Sequence, residues 1–151
     1  MNSDYRIVVL LSGSGTTLQS IIDTGLPATI SAVISNKPGV MGLNRAKEAN
    51  IPTHVLDQDL QQQIDEYKPD LVVLAGFMRI LSDDFVNHYY GRLINIHPSL
   101  LPKYKGMHTP QRVMDDGEPL HGSSVHFVNT ELDGGPVVLQ ARLPVLPNDS
   151  P

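Results

Sequence analysis

An asparagine and a histidine two residues apart carry the clearest chemical signal in this sequence. Asn95 and His97 lie at the end of the apolar run Leu93 to Ile96, which is predicted to form a strand. Alternate side chains of a strand share a face, so the amide and the imidazole point the same way. The amide can donate to a developing oxyanion and the imidazole can transfer a proton. The pair suits acyl transfer, although a lone histidine next to proline is more often a structural residue.

A glycine loop follows the first predicted strand, Arg6 to Leu11, and leads into the predicted helix at 16–23. The first amides of this helix belong to Thr16 and Thr17, and unpaired amides at the positive end of a helix dipole favour a phosphate group. Leu18 replaces the third glycine of the dinucleotide fingerprint, and no P-loop lysine follows, so NAD and ATP are weakly supported. A plain strand-to-helix turn would also need Gly13 and Gly15.

Asp133 is a third candidate, because the adjacent glycines of the LDGGP stretch let the backbone turn sharply and carry a carboxylate into a cleft. There it could orient His97 and raise its affinity for a proton. The alternative is an ordinary Asp-Gly turn between strands.

The remaining histidines and lysines give weaker signals. His54 and His88 are predicted to be surface residues, and His121 and His126 could share a site, but no carboxylate pair completes a metal pattern. We therefore predict no metal. The pair of lysines at 103 and 105 could face an anionic substrate or form ordinary solvated surface.

Strand-like and helix-like patterns alternate along the whole chain. This alternation predicts one α/β domain over residues 1–151, with an open, mostly parallel twisted sheet, helices on both faces and ligand sites at the carboxyl ends of the strands.

Composition restricts the class of protein. The chain of 151 residues has 11 basic and 16 acidic residues and a net charge of −5, which gives no general reason to bind nucleic acid. Cysteine is absent, so there can be no disulfide or thiolate nucleophile. The first apolar run is too short for a signal peptide or a membrane span, and a cytoplasmic location is predicted.

Four stretches together resemble the phosphoribosylglycinamide formyltransferase family of folate-dependent enzymes, from about Arg6 to the end of the chain. They are LSGSGTTLQSIID, LAGFMRIL, NIHPSLLPKYKG and HFVNTELDGGPVVLQ. The resemblance implies a Rossmann-like fold and transfer of a formyl group from 10-formyltetrahydrofolate, the co-substrate, to the amine of glycinamide ribonucleotide in purine biosynthesis. It further implies a cytoplasmic monomer or weak homodimer that binds these small molecules and neither nucleic acid nor membrane.

The resemblance also implies roles for particular residues. Asn95 would hold the oxyanion of the tetrahedral intermediate, His97 would polarise the formyl oxygen and manage protons, and Asp133 would orient His97 and move a proton through water. The ribotide phosphate would lie on Gly15, Thr16 and Thr17. The folate pocket would comprise Met78, Arg79, Ile80, Leu81, Asn95, Asn129, Thr130, Glu131, Leu132 and Asp133. Alternatively, Met78, Ile80 and Leu81 could simply be core residues.

The sequence departs from the family at three points. Thr17 stands where members commonly carry Asn, and the segment between Leu56 and Tyr67 is short and lacks a basic residue that the family uses for the folate tail. A C-terminal helix of the family is expected to be missing, which predicts a truncated form. Two other functions stay open: a related formyltransferase acting on an aminoacyl-tRNA or an amino sugar nucleotide, and a non-catalytic module that binds folate and phosphate.

Overall fold

Strands and helices alternate along the chain in a computed structural model of the protein. The structure describes residues 5–57, 59–97, 100–118, 120–130 and 135–144. Contacts within the chain divide it into two units, Met1–Phe85 and Val86–Pro151, and the helix α4 (Asp83–His88) includes the boundary. The single domain over 1–151 stays a prediction.

The first unit contains four parallel strands in the order β3-β2-β1-β4. Its elements are β1 (Arg6–Leu11), α1 (Thr16–Thr24), β2 (Thr29–Ser35), α2 (Met41–Glu48), β3 (Thr53–Val55), α3 (Leu60–Asp65) and β4 (Leu71–Leu74). The side chains of β1 from Val8 to Leu11 are fully buried. Such a run, apolar at successive positions, is typical of a parallel strand that is covered on both faces.

The second unit contains three antiparallel strands in the order β5-β6-β7. They are β5 (Leu93–His97), β6 (Leu120–Phe127) and β7 (Val137–Pro144), and α5 (Thr109–Asp115) lies between β5 and β6 in the chain. The register places Asn95 opposite His126 and His97 opposite Ser124. Side chains from the middle of β6 therefore lie directly beside the two predicted catalytic residues.

The predicted α/β class is confirmed, and within the described residues the pairings are parallel in the first unit and antiparallel in the second. The predicted end of β5 at Ile96 was wrong by one residue, because β5 continues through His97. The cause is cross-strand pairing with β6, which extends the strand through a residue whose own pattern is weak. Residues 145–151 lie outside the described residues, and the expectation that a C-terminal helix of the family is missing stays a prediction.

Candidate active site

The glycine loop between β1 and α1 packs tightly against the start of α2. Gly15 has φ 75°, and a Cβ atom at this position would lie 2.5 Å from the Gly42 Cα. The Gly42 N–H donates to the Gly13 carbonyl at 3.0 Å. Both the left-handed conformation and the close approach of two backbones require glycine at position 15. The loop is therefore held in one shape.

The amino end of α1 is open to an anion. No side chain caps this helix, and its first backbone hydrogen bond runs from the Gln19 N–H to the Gly15 carbonyl at 2.9 Å. The amides of Thr16 and Thr17 consequently have no partner within the helix. Arg45 of α2 donates from Nε to the Ser14 carbonyl at 2.7 Å and places a positive charge beside the loop. Amides, helix dipole and guanidinium all favour a negative group here, and the predicted phosphate role of Gly15, Thr16 and Thr17 rests on this geometry.

Ser12 connects the glycine loop to the loop that follows β4. Its N–H donates to the Gly76 carbonyl at 3.1 Å, and its buried Oγ accepts the Met78 N–H at 2.7 Å. The same hydroxyl donates to Asn36 Oδ1 at 2.6 Å, just beyond β2. These contacts gather the carboxyl ends of β1, β2 and β4, where the strand order reverses. Ligands of open α/β sheets bind at such a reversal.

The segment Met78 to Leu81 presents apolar side chains to solvent next to this position. Met78 is 61% exposed and Ile80 is 97% exposed, whereas Leu81 is half-buried. The alternative that Met78 and Ile80 belong to the core is therefore wrong. Arg79 is exposed as well. The role of this segment in binding folate stays a prediction.

Asn95 is held by a histidine on the neighbouring strand. Asn95 Nδ2 lies 3.3 Å from His126 Nε2, and His126 Nδ1 lies 2.9 Å from the Phe127 carbonyl oxygen. A carbonyl can only accept, so the hydrogen of the neutral His126 ring is on Nδ1 and Nε2 accepts from Asn95. An amide carries two N–H groups, and the second one of Asn95 makes no other hydrogen bond among the described residues. This group can donate to an oxyanion.

His97 is buried and has its tautomer fixed by the backbone. Its Nε2 lies 2.7 Å from the Tyr104 carbonyl oxygen, and its side chain is 4% exposed. Since that oxygen can only accept, Nε2 carries the hydrogen of the neutral ring. The structure thus confirms that Asn95 and His97 lie on one strand, two residues apart, and supplies a partner for each.

The loop that carries Asp133 begins beside β5. The Val128 N–H donates to the Leu93 carbonyl at 2.9 Å, and the Phe127 N–H donates to the Pro136 carbonyl at 3.0 Å. Leu93 is four residues from His97, about 13 Å along the strand. Asn129 is half-buried and Thr130 is exposed. Glu131, Leu132 and Asp133 lie outside the described residues, so the contact between Asp133 and His97 stays a prediction.

Sequence reasoning missed three contributors to these sites. His126, which the sequence pattern paired with His121, contacts Asn95 instead, and only the register of β5 against β6 could have indicated this. Tyr104 contributes through its backbone carbonyl, for which a sequence has no signal. Arg45 approaches the glycine loop from a helix whose charged residues are typical of a solvated face.

Two negative findings apply to the described part of the chain. No group of three or more His, Cys, Asp or Glu side chains is placed to hold a metal ion there. In the same part of the chain, no helix has the length and apolar character that crossing a membrane requires.

Comparison with known proteins identifies relatives along almost the whole chain. The profile of the family described as formyl transferase matches residues 5–151. The phosphoribosylglycinamide formyltransferase of Escherichia coli (strain K12) is 55% identical over 160 residues, which cover 96% of this chain and 76% of that protein. The trifunctional purine biosynthetic protein adenosine-3 of Drosophila melanogaster is 45% identical over 161 residues, with 95% of this chain and 12% of that protein covered.

The fold has a counterpart among solved structures. The phosphoribosylglycinamide formyltransferase of Anaplasma phagocytophilum superposes with a TM-score of 0.93 at 38% identity, over 98% of this chain and 76% of that one. The predicted Rossmann-like formyltransferase fold is thereby confirmed.

Proposed function

The chain belongs to the formyl transferase family, and on this premise we propose that it transfers a formyl group from 10-formyltetrahydrofolate to the amine of glycinamide ribonucleotide. This reaction is a step of purine (IMP) biosynthesis. The names of its relatives support this substrate over an aminoacyl-tRNA or an amino sugar nucleotide. The observation that carries the proposal is the arrangement of Asn95 and His97 on β5. One N–H of the Asn95 amide is directed at His126 and the other is available, and His97 lies two residues further along the same strand.

The proposed chemistry is an addition followed by an elimination at the formyl carbon. The amine nitrogen of the ribonucleotide forms a bond to that carbon, and the electrons of the C=O bond move to oxygen. The second Asn95 N–H donates to the resulting oxyanion. The oxyanion then collapses and breaks the bond to the folate nitrogen, which takes up the proton that the amine loses. His97 would take part in the transfer of this proton as a general acid and base. Asp133 would orient His97 and relay the proton through water.

Two segments of the first unit would bind the substrates. The amides of Thr16 and Thr17, with Gly15 at the start of α1, would hold the ribotide phosphate. The exposed segment Met78 to Leu81 would bind the folate, together with Asn95 and the loop from Asn129 to Asp133. We further propose a cytoplasmic monomer or weak homodimer that binds neither nucleic acid nor membrane and needs no metal. The net charge of −5 supports the exclusion of nucleic acid.

The test is a formyl-transfer assay with both substrates, in which the product is identified by its mass. We expect the unmodified chain to turn over and His97→Ala to lose most of this activity, because a positioned proton-transfer group typically contributes about 10²-fold or more. His54→Ala is the matched control, since His54 is exposed and lies on β3. Absence of product from the unmodified chain, or equal rates for His97→Ala and the control, would refute the proposal.

A further inference from the structure

The loop that follows β5 is anchored firmly where the described residues resume. The Leu101 N–H donates to Ser124 Oγ at 3.0 Å, and Gln140 Nε2 donates to the Leu101 carbonyl at 2.8 Å. Leu101 and Ser124 are both buried. Side chains from β6 and β7 therefore fix the base of this loop against the sheet.

The tip of the loop is held by the side chain of Tyr104. Its hydroxyl donates to Asp116 Oδ2 at 2.7 Å and lies 3.3 Å from Glu118 Oε1. The guanidinium of Arg112 lies 5.3 Å from the centre of the Tyr104 ring and donates to the Lys105 carbonyl at 2.7 Å. One aromatic side chain is thus fixed at its edge by carboxylates and on its face by a cation.

The backbone of Tyr104 is in the left-handed region, with φ 56°. Residues other than glycine rarely adopt this conformation, and they keep it only where surrounding contacts enforce it. In this conformation the Tyr104 carbonyl oxygen accepts the Nε2 hydrogen of His97 at 2.7 Å. The side-chain contacts of Tyr104 and the position of the His97 ring are therefore linked through a single residue.

We propose that Tyr104 is a positioning residue for His97: the hydrogen bond of its hydroxyl to Asp116, with Glu118 close by, holds the carbonyl that accepts the His97 Nε2 hydrogen and so fixes the orientation and tautomer of the ring. The inference rests on the proposed function only for the kinetic consequence, because the tautomer of His97 can be measured without substrate. Desolvation and then the hydrogen bond to Asp116 raise the pKa of the Tyr104 hydroxyl well above its usual range. A phenol with the usual pKa of about 10 is already protonated at neutral pH, so the hydroxyl is a donor there, and the raised pKa extends this range to higher pH.

The test is Tyr104→Phe, which removes the hydroxyl and keeps the ring that Arg112 covers. We expect the ¹⁵N signals of the His97 ring to shift toward a mixture of tautomers, and kcat to fall about threefold to tenfold, the factor that one lost hydrogen bond typically represents. KM for both substrates should change less than kcat, since the substitution is expected to act on the His97 proton rather than on a group proposed to hold a substrate. Tyr90→Phe makes the same chemical change at a side chain that is 77% exposed and should leave both readouts unchanged.

A second pair of variants addresses the carboxylate side of the same contact. Asp116→Ala removes the acceptor of the Tyr104 hydroxyl, whereas Asp115→Ala removes a neighbouring carboxylate that accepts from Gln111 instead. We expect the shift of the His97 signals and the loss of kcat only in Asp116→Ala. Unchanged His97 signals in both Tyr104→Phe and Asp116→Ala would overturn the inference. An unmodified chain without formyl transfer would refute the proposed function and leave the tautomer measurement as the deciding test of positioning.

Discussion

At the scale of single residues, Asn95 can turn either its oxygen or its nitrogen toward a bound formyl group, and His126 selects the nitrogen. His126 Nδ1 donates to the Phe127 carbonyl, so Nε2 of the neutral ring can only accept. The Asn95 amide must then place its nitrogen toward His126 at 3.3 Å. An amide that could turn over would present its oxygen to the substrate for part of the time, and two oxygens repel each other as charge develops.

We expect His126→Ala to lower kcat about fivefold, because a hydrogen bond of this kind contributes about 1 kcal/mol. The reason is loss of the preferred amide orientation, with Asn95 itself still present. Steady-state kinetics below the unfolding temperature of each variant would measure the effect, with His54→Ala as control. An unchanged kcat in a folded His126→Ala variant would show that another contact orients Asn95.

The raised pKa of Tyr104 predicts that the free energy of unfolding depends on pH in the alkaline range. Its pKa in the folded state is raised, by desolvation and then by the hydrogen bond to Asp116, above the usual value of about 10. Between these two pKa values the folded state retains a proton that the unfolded state has released, so the free energy of unfolding falls as pH rises above about 10. Below about 10 both states are protonated, and the contribution is complete and constant.

Urea unfolding of the unmodified chain and of Tyr104→Phe at a series of pH values would measure this contribution. We expect the difference in free energy of unfolding between the two proteins to be constant up to about pH 10 and to shrink above it. The titratable or charged groups that face the hydroxyl and the ring are Asp116, Glu118 and Arg112. A difference that stays constant through the alkaline range would contradict the prediction.

At the scale of elements, the start of α1 and the start of α2 share one contact that only small residues permit. A Cβ atom at Gly42 would lie 2.6 Å from a Leu11 methyl carbon and 2.9 Å from the Gly13 carbonyl oxygen. The opposing position is Gly15, so neither backbone can move away without breaking the hydrogen bond from Gly42 to Gly13. The shape of the proposed phosphate cradle is set by the packing of two helices and does not depend on a bound ligand.

Gly15→Ala should therefore lower the free energy of unfolding by about 3 kcal/mol, from the left-handed conformation and the clash together. The substitution should also weaken binding of glycinamide ribonucleotide, since the first amides of α1 would shift. Gly13→Ala is the matched control in the same loop, because a Cβ atom there would meet no heavy atom within 4 Å. Equal stability of the two variants in urea unfolding would contradict this account of the loop.

The elements could be predicted from the sequence because their signals are local. The apolar run Arg6 to Leu11 predicted the observed bounds of β1, and the helix predicted at 16–23 matches α1 to within one residue. Contacts of the site could be predicted only in part. That Asn95 and His97 share a face follows from the period of a strand, whereas the contact of Asn95 with His126 joins residues 31 positions apart and depends on the register of two strands.

At the scale of the whole molecule, the relatives indicate the kind of substrate, and the net charge restricts how that substrate can be bound. The family profile covers residues 5–151, and the phosphoribosylglycinamide formyltransferases of Escherichia coli and Anaplasma phagocytophilum match 96% and 98% of the chain. A net charge of −5 gives no long-range attraction for a phosphate ester. Binding of the ribotide must then come from short-range contacts, and the open amides of α1 beside Arg45 can provide contacts of this kind.

The measurement that tests the central claim most directly is the single-turnover rate of formyl transfer by Asn95→Ala, with Asn87→Ala as control. Asn87 is exposed on α4, and Asn87→Ala removes the same side-chain atoms from a residue that is not part of β5. We predict a rate about 10²-fold or more below that of the unmodified chain for Asn95→Ala, since it removes an oxyanion donor, and an unchanged rate for Asn87→Ala. A near-normal rate for Asn95→Ala in a folded protein would contradict the assignment of Asn95 to the oxyanion and, with it, the proposed mechanism.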